Sequence, residues 1–225
     1  FALASDVNVI PITSKIEDNF ALPSIHEFEK KINSKTKAIL LCNPCNPTGY
    51  VYSQEEIINI ANLAKKNDLF IVVDEVYREF IYTDTKHFSI LEDEKFSENA
   101  ILIDSTSKRY SLCGARVGFI VSKNSEFIET CLKFALTRLS PPTLALIAAN
   151  HALNSREDYI ENVIKEYYKR REVIINELSQ IDNIKFSNPM GAFYSIIKLP
   201  IENAEDFAKF LLTDFSYKNQ SVMLS

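Results

Sequence analysis

Three short segments of the sequence end on side chains able to do chemistry. Asn46–Pro47–Thr48–Gly49 offers an amide and a hydroxyl, and Asp74–Glu75–Val76–Tyr77 offers carboxylates and a phenol. Ser105–Thr106–Ser107–Lys108 offers hydroxyls and a primary amine, with Gly114, the Arg116 guanidinium and Gly118 close behind. Each follows an apolar run: AILLC, LFIVV and AILID. In an open α/β sheet, ligands bind beyond the carboxyl ends of the strands. If the three runs are strands of one sheet, a single polar mouth gathers all of these groups. Taken singly, each has a plainer reading. Asp74 could cap a helix, Tyr77 could be a half-buried core aromatic, Lys108 a solvated lysine, and Arg116 the partner of any acidic neighbour. Their order at successive strand ends is what favours a site.

Glycine use points to the same loops. The chain has four glycines in 225 residues, where ordinary usage near 7% would give roughly 16. A chain this sparing keeps glycine where the backbone needs it, and Gly49, Gly114, Gly118 and Gly191 all fall in short polar loops. The four cysteines carry less. Cys42 and Cys45 have C-x-x-C spacing, but a tetrahedral zinc site needs two more ligands, and no second C-x-x-C or H-x-x-x-H follows. They read as ordinary thiols of a reducing cytosol, and a cytoplasmic location is expected. His26, His87 and His151 are scattered.

The elements needed to position these groups are legible in the periodicity. Strands are expected at 7–12, 37–42, 69–73, 100–104 and 117–121. Helices are expected at 24–33 and 53–67, each opened by an S-x-x-E capping box (Ser24 with Glu27, Ser53 with Glu56). Continuous apolar strands alternating with amphipathic helices predict an α/β fold, a mainly parallel sheet covered by helices on both faces. Beyond residue 124 the pattern turns helical, over 124–137, 141–154 and 156–180, with strands at 184–186 and 192–198 and a helix at 203–212. The expected division is a larger α/β domain over 1–155, then an interdomain helix and part of a smaller α+β domain over 156–225. The chain opens at Phe1 without Met and stops at Ser225 in mid-pattern, so a piece of a longer protein is expected.

NPCNPTG, VDEVY and STSKRYSLCGARVG, in that order, resemble the fold-type I pyridoxal-phosphate (PLP) enzymes, specifically the class I/II aminotransferases of the aspartate aminotransferase-like branch. The spacing Ser-x-x-Lys-x₇-Arg with a glycine two residues on is the most specific part. The likeness extends to Asn188–Pro189–Met190–Gly191–Ala192–Phe193. It implies PLP as cofactor, with Lys108 as the Schiff-base lysine and later proton carrier. It implies Asp74 opposite the pyridine nitrogen, and Tyr77 and Asn46 at the ring hydroxyl. Arg116, Ser105 and Ser107 would bind the phosphate, and Phe193 and Asn46 would lie beside the substrate. The family's upstream phosphate turn, its ring-stacking aromatic and its C-terminal carboxylate-binding arginine have no counterpart here. Arg170 and Arg171 read as solvated, and Arg138 could reach a substrate or a neighbouring subunit.

The implied reaction is amino transfer between a dicarboxylic amino acid and a 2-oxo acid, in a homodimer. A PLP-dependent carbon–sulfur β-lyase would share the same residues. The aminotransferase-like effector domain of a transcription regulator is a third reading. Composition narrows the partners. The net charge is -5 with no clustered basic block, which argues against nucleic acid and anionic membranes. The apolar runs are far shorter than the roughly 20 residues of a membrane span.

Overall fold

The computed structural model describes residues 2–154 and 157–224. Four strands form the principal sheet, in the order β1 (Ala38–Cys42), β2 (Phe70–Asp74), β3 (Ala100–Ser105), β4 (Gly118–Val121). The first three are parallel and β4 runs antiparallel to β3. The helices are α1 (Ile25–Glu29), α2 (Gln54–Lys66), the single turn α3 (Thr106–Arg109), α4 (Ser125–Arg138), α5 (Thr143–Leu153), α6 (Glu157–Leu178) and α7 (Ala204–Thr213). A two-stranded antiparallel ribbon, β5 (Lys185–Phe186) with β6 (Ile197–Lys198), completes the fold. The boundary expected between residues 155 and 156 lies outside the described residues. No helix of the described chain is long and apolar enough to cross a membrane.

The core explains why α2 forms where it does. Ser53 Oγ accepts from the Glu56 N–H at 3.2 Å and Glu56 Oε2 accepts from the Ser53 N–H at 2.7 Å, so the capping box is made. The helix then buries Ile57, Ile60, Ala61, Leu63 and Ala64 against Leu41, Ile71, Val73 and Ala100. Strand alternation turns those sheet residues toward α2. In register, Leu40 pairs with Val72, and Cys42 with Asp74, and these side chains point to the other face.

That other face is flanked by α4 but covered less fully. Leu40 is 69% exposed, and all four residues of β4 are exposed. Helix α4 buries none of its residues. It meets the sheet through Phe127, whose ring centre lies 5.6 Å from that of Phe70.

Three local expectations also change. Residues 7–12 alternate as a strand would, but they lie beside no described strand, and Val7, Val9 and Ile10 are exposed. A strand without a ladder partner leaves its backbone groups to water. Helix α1 is five residues long and Ser24 makes no side-chain cap. Glu27 is drawn to Lys30 Nζ at 2.7 Å, and Asn33 Oδ1 accepts from the Lys35 N–H at 2.9 Å, a turn that competes with helix. The strand expected over 192–198 shortens to β6. Its first residues are bound elsewhere: the Ala192 N–H donates to Phe80 O and its carbonyl accepts from the Tyr82 hydroxyl.

The glycine loops join the sheet layer to the later segment. Gly49 sits at φ +72°, and its carbonyl accepts from the N–H groups of Met190 at 2.8 Å and Gly191 at 2.9 Å. A Cβ at Gly49 would stand 2.3 Å from Pro189 Cβ. Gly49→Ala combines a left-handed backbone penalty with overpacking. It should therefore destabilise the protein by about 2–5 kcal/mol, measured by denaturant unfolding. A loss below about 0.5 kcal/mol, the size of an ordinary surface change, would contradict this contact.

Candidate active site

Parallel pairing of β1, β2 and β3 brings their carboxyl ends together, so the loops after Cys42, Asp74 and Ser105 share one edge. Asp74 stands at the end of β2, half-buried, and its Oδ1 accepts the Val76 N–H at 3.1 Å. No helix follows it, so the helix-cap reading fails. Among the described residues no ion pair reaches its carboxylate. Burial, with the charges of Asp104 and Glu75 nearby, raises its pKa above the usual carboxylate value.

Tyr77 is fully buried at 2% exposure. Its hydroxyl lies 2.5 Å from that of Tyr194, and its ring meets Phe193 edge-on at 5.0 Å between centres. Burial, then the Tyr194 contact, drive its pKa far above the ordinary phenol value, so the phenol keeps its proton. Lys108 belongs to the single turn α3, half-buried. Its Nζ stands 5.7 Å from the Tyr77 ring centre and 5.5 Å from that of Phe193. The amine is thus held between two aromatic rings, a favourable place for a cation and an apolar wall for anything bound beside it.

The hydroxyls gather at the same end of β3. Ser105 caps α3 by accepting the Ser107 N–H at 3.1 Å, and its Oγ lies 2.8 Å from Ser107 Oγ and 2.9 Å from the Val117 carbonyl. Arg116 has φ +56° and an exposed side chain, and its Nη1 donates to Cys113 O at 2.9 Å. Its guanidinium is held by its own loop. Asn46 is exposed, its N–H 3.5 Å from Cys42 Sγ. Burial pushes that Cys42 thiol up to about 12, which makes it a poor nucleophile.

Phe193 belongs to an aromatic cluster with Tyr77, Phe80, Tyr167 and Tyr194, stacked on Tyr167 at 4.8 Å. It therefore packs the core and faces Lys108 at once. A cavity of about 190 Å³ lies beside it, lined by Tyr82, Tyr167, Arg171 and Pro189. Lys108, Asp74 and Arg116 do not line it.

Several supports of the site carry no motif in the sequence. Glu75 is completely buried. Its carboxylate accepts from Ser89 Oγ at 2.9 Å and the Ile90 N–H at 3.1 Å, and lies 2.9 Å from His87 Nε2. Alternation at a strand end was the available signal, since it turns Glu75 away from the side that Asp74 faces. Arg171 is not solvated. It donates to Pro189 O and Asn188 Oδ1, each at 2.6 Å, and also contacts Glu172. Arg170 stays exposed beside Glu166, and Arg138 ends α4 in solvent.

Comparison with known proteins identifies the family. The family profile "Aminotransferase class I and II" matches residues 3–218. An aspartate aminotransferase of Bacillus sp. (strain YM-2) is 34% identical over 212 residues, covering 90% of this chain and 54% of that protein. The crystal structure of an aspartate aminotransferase from Thermotoga maritima superposes with a TM-score of 0.80 at 31% identity, over 89% of this chain and 52% of that one. An aromatic aminotransferase from Pyrococcus horikoshii gives 0.77 at 30%, over 89% and 54%. The chain thus spans about half the length of the relatives it matches. With a mainly parallel sheet of this order and a family match over nearly its whole length, the chain belongs to the class I and II aminotransferases, the PLP-dependent enzymes of fold type I.

Proposed function

We propose that the intact protein transfers an amino group between a dicarboxylic amino acid and a 2-oxo acid, with Lys108 as the amine that condenses with the cofactor aldehyde. The observation that carries this reading is Lys108 Nζ standing 5.7 Å from the Tyr77 ring, with Asp74 ending the neighbouring parallel strand. PLP, when bound, supplies an electron sink for the bond changes at the substrate's α-carbon.

The residues present fit that cofactor. Asp74 is a half-buried carboxylate with one backbone donor and neighbouring negative charge, so a cationic ring N–H is the partner it lacks. Ser105, Ser107 and Arg116 are the donors for the phosphate, and Arg116 would exchange its bond to the Cys113 carbonyl for a bidentate one. Asn46 and the Tyr77 hydroxyl stand for the ring hydroxyl side. Phe193 and Asn46 are the candidates beside the substrate. Lys108 would be the group that moves a proton at the α-carbon, its Nζ standing 5.7 and 5.5 Å from the ring centres of Tyr77 and Phe193. We further propose a larger domain over 1–155 and a smaller one over 156–225, within which Arg171 ties α6 to the turn at Asn188 and Pro189. A cytoplasmic homodimer is the proposed state of the intact protein.

The dicarboxylic substrate rests on the relatives named as aspartate aminotransferases. Single-turnover assays with aspartate, glutamate, phenylalanine and a cysteine conjugate test it. Aspartate and glutamate should react with kcat/KM at least about tenfold above phenylalanine, a difference of about 1.4 kcal/mol in the barrier. Release of pyruvate and ammonia from the conjugate as the fastest reaction would overturn the proposal in favour of a lyase.

A further inference from the structure

We infer that Arg109 is a positioning residue that clamps the turn carrying Lys108 to the turn carrying Tyr77; the inference rests on the reading of Lys108 given above. Helix α3 is one turn long, and a single turn has little stability of its own. Where Lys108 stands is therefore set by what grips the residues around it. On one side Thr106, 1% exposed, donates through both its N–H and its hydroxyl to the Val117 carbonyl at 3.2 Å. On the other side stands Arg109.

The Arg109 side chain is 10% exposed and lies between two carboxylates from different segments. Its Nε is 2.7 Å from Glu79 Oε1, and its Nη2 donates to Asp104 Oδ2 at 2.8 Å. Glu79 follows Tyr77 by two residues, and Arg109 follows Lys108 by one. The ion pair between them thus links the segment carrying the amine to the segment carrying the phenol. Arg78 closes the group, with Nε 3.1 Å from the same Glu79 oxygen and Nη1 3.9 Å from Asp104 Oδ2. Two cations and two carboxylates balance in charge, so the cluster adds no net charge behind the site. Burial alone would lower the Arg109 pKa, but Glu79 and Asp104 more than offset that and it ends raised.

Strand alternation turns this cluster to the opposite face of the sheet from Ser105, while the Asp104 charge still acts on Asp74. Asp104 and Ser105 are successive strand residues and point to opposite sides of the sheet. Ser105 lies with the hydroxyls of the site, and Asp104 lies with Arg109 behind it. A flexible monodentate lysine could engage one carboxylate, but the planar fork of arginine is what reaches both.

The test uses PLP as probe on the intact protein, with borohydride reduction and peptide mapping to time pyridoxyl capture at Lys108. Arg109→Met, Glu79→Gln and their double variant are compared with Arg109→Lys, each at a temperature where circular dichroism matches the parent. Misplacement of a reacting group by about 1 Å costs up to about 100-fold, so capture in each single variant should slow by about 10- to 100-fold. The double variant should be no slower than the worse single one, because both remove the same clamp. Arg109→Lys should lie between. Folded variants that lose thermal stability yet capture PLP at the parent rate would overturn the inference and leave Arg109 a purely structural residue. Capture by the parent at a lysine other than Lys108 would overturn the reading of Lys108 and the inference with it. If Arg109→Met does not fold, Arg109→Lys and Glu79→Gln decide the matter.

Discussion

Lys108→Ala in the intact protein should lower kcat/KM for amino transfer by at least about 10²-fold and up to about 10⁴-fold, the range that positioned proton transfer alone contributes. That is about 2.7–5.5 kcal/mol of barrier. Folding stability should change far less. The Nζ makes two contacts over rings, at 5.7 and 5.5 Å, each worth about 0.5–1 kcal/mol. Lys108→Arg separates the two effects. Arginine keeps a cation near the same rings but stays charged at any working pH, so it neither condenses nor carries a proton. It should be as slow as the alanine variant and as stable as the parent. An arginine variant with a tenth or more of parent activity would show that Lys108 serves only as a charge.

Asp74→Asn should move rate and stability in opposite directions. Its carboxylate would lose contact with the charge held at the cofactor ring. Removing one such contact lowers turnover by roughly 10²–10³-fold, about 2.7–4 kcal/mol. The cofactor-free protein should become more stable. A carboxyl whose folded pKa is raised binds its proton more tightly folded than unfolded. Its stabilising contribution is present below the ordinary value of 3.8 and is lost as pH rises through the raised value. At pH 7 the ionised Asp74 is therefore a cost to the fold, while asparagine still accepts the Val76 N–H. The expected gain is about 0.5–2 kcal/mol at pH 7, the scale seen when a strained functional group is relieved, shrinking as pH falls toward 3.8. Thermal melts of the cofactor-free protein across pH measure this. A less stable variant with near-normal turnover would mean that Asp74 is structural.

How much of this was legible in the sequence depends on what kind of signal each element carries. Helix α2 and strands β1, β2 and β3 follow from periodicity within a residue or two, because each buries its apolar face inside this chain. The strand expected at 7–12 fails for the converse reason. Pattern shows which residues suit burial, and whether a partner is present is a matter of tertiary structure. At the site, the residue types and their order were readable at Asn46, Asp74, Tyr77, Lys108 and Arg116. Their supports were not. Tyr194 lies 117 residues from the Tyr77 it touches, and Glu79 lies 30 residues from the Arg109 it holds, a separation no local spacing encodes.

Whether Lys108 is the lysine that carries the cofactor can be measured directly. The intact protein is incubated with PLP, reduced with borohydride, digested and mapped by mass spectrometry. One pyridoxyl group per chain is expected, on the peptide containing Ser107–Lys108–Arg109. A pyridoxyl group at any other lysine, or none in a protein that transfers amino groups, would contradict it.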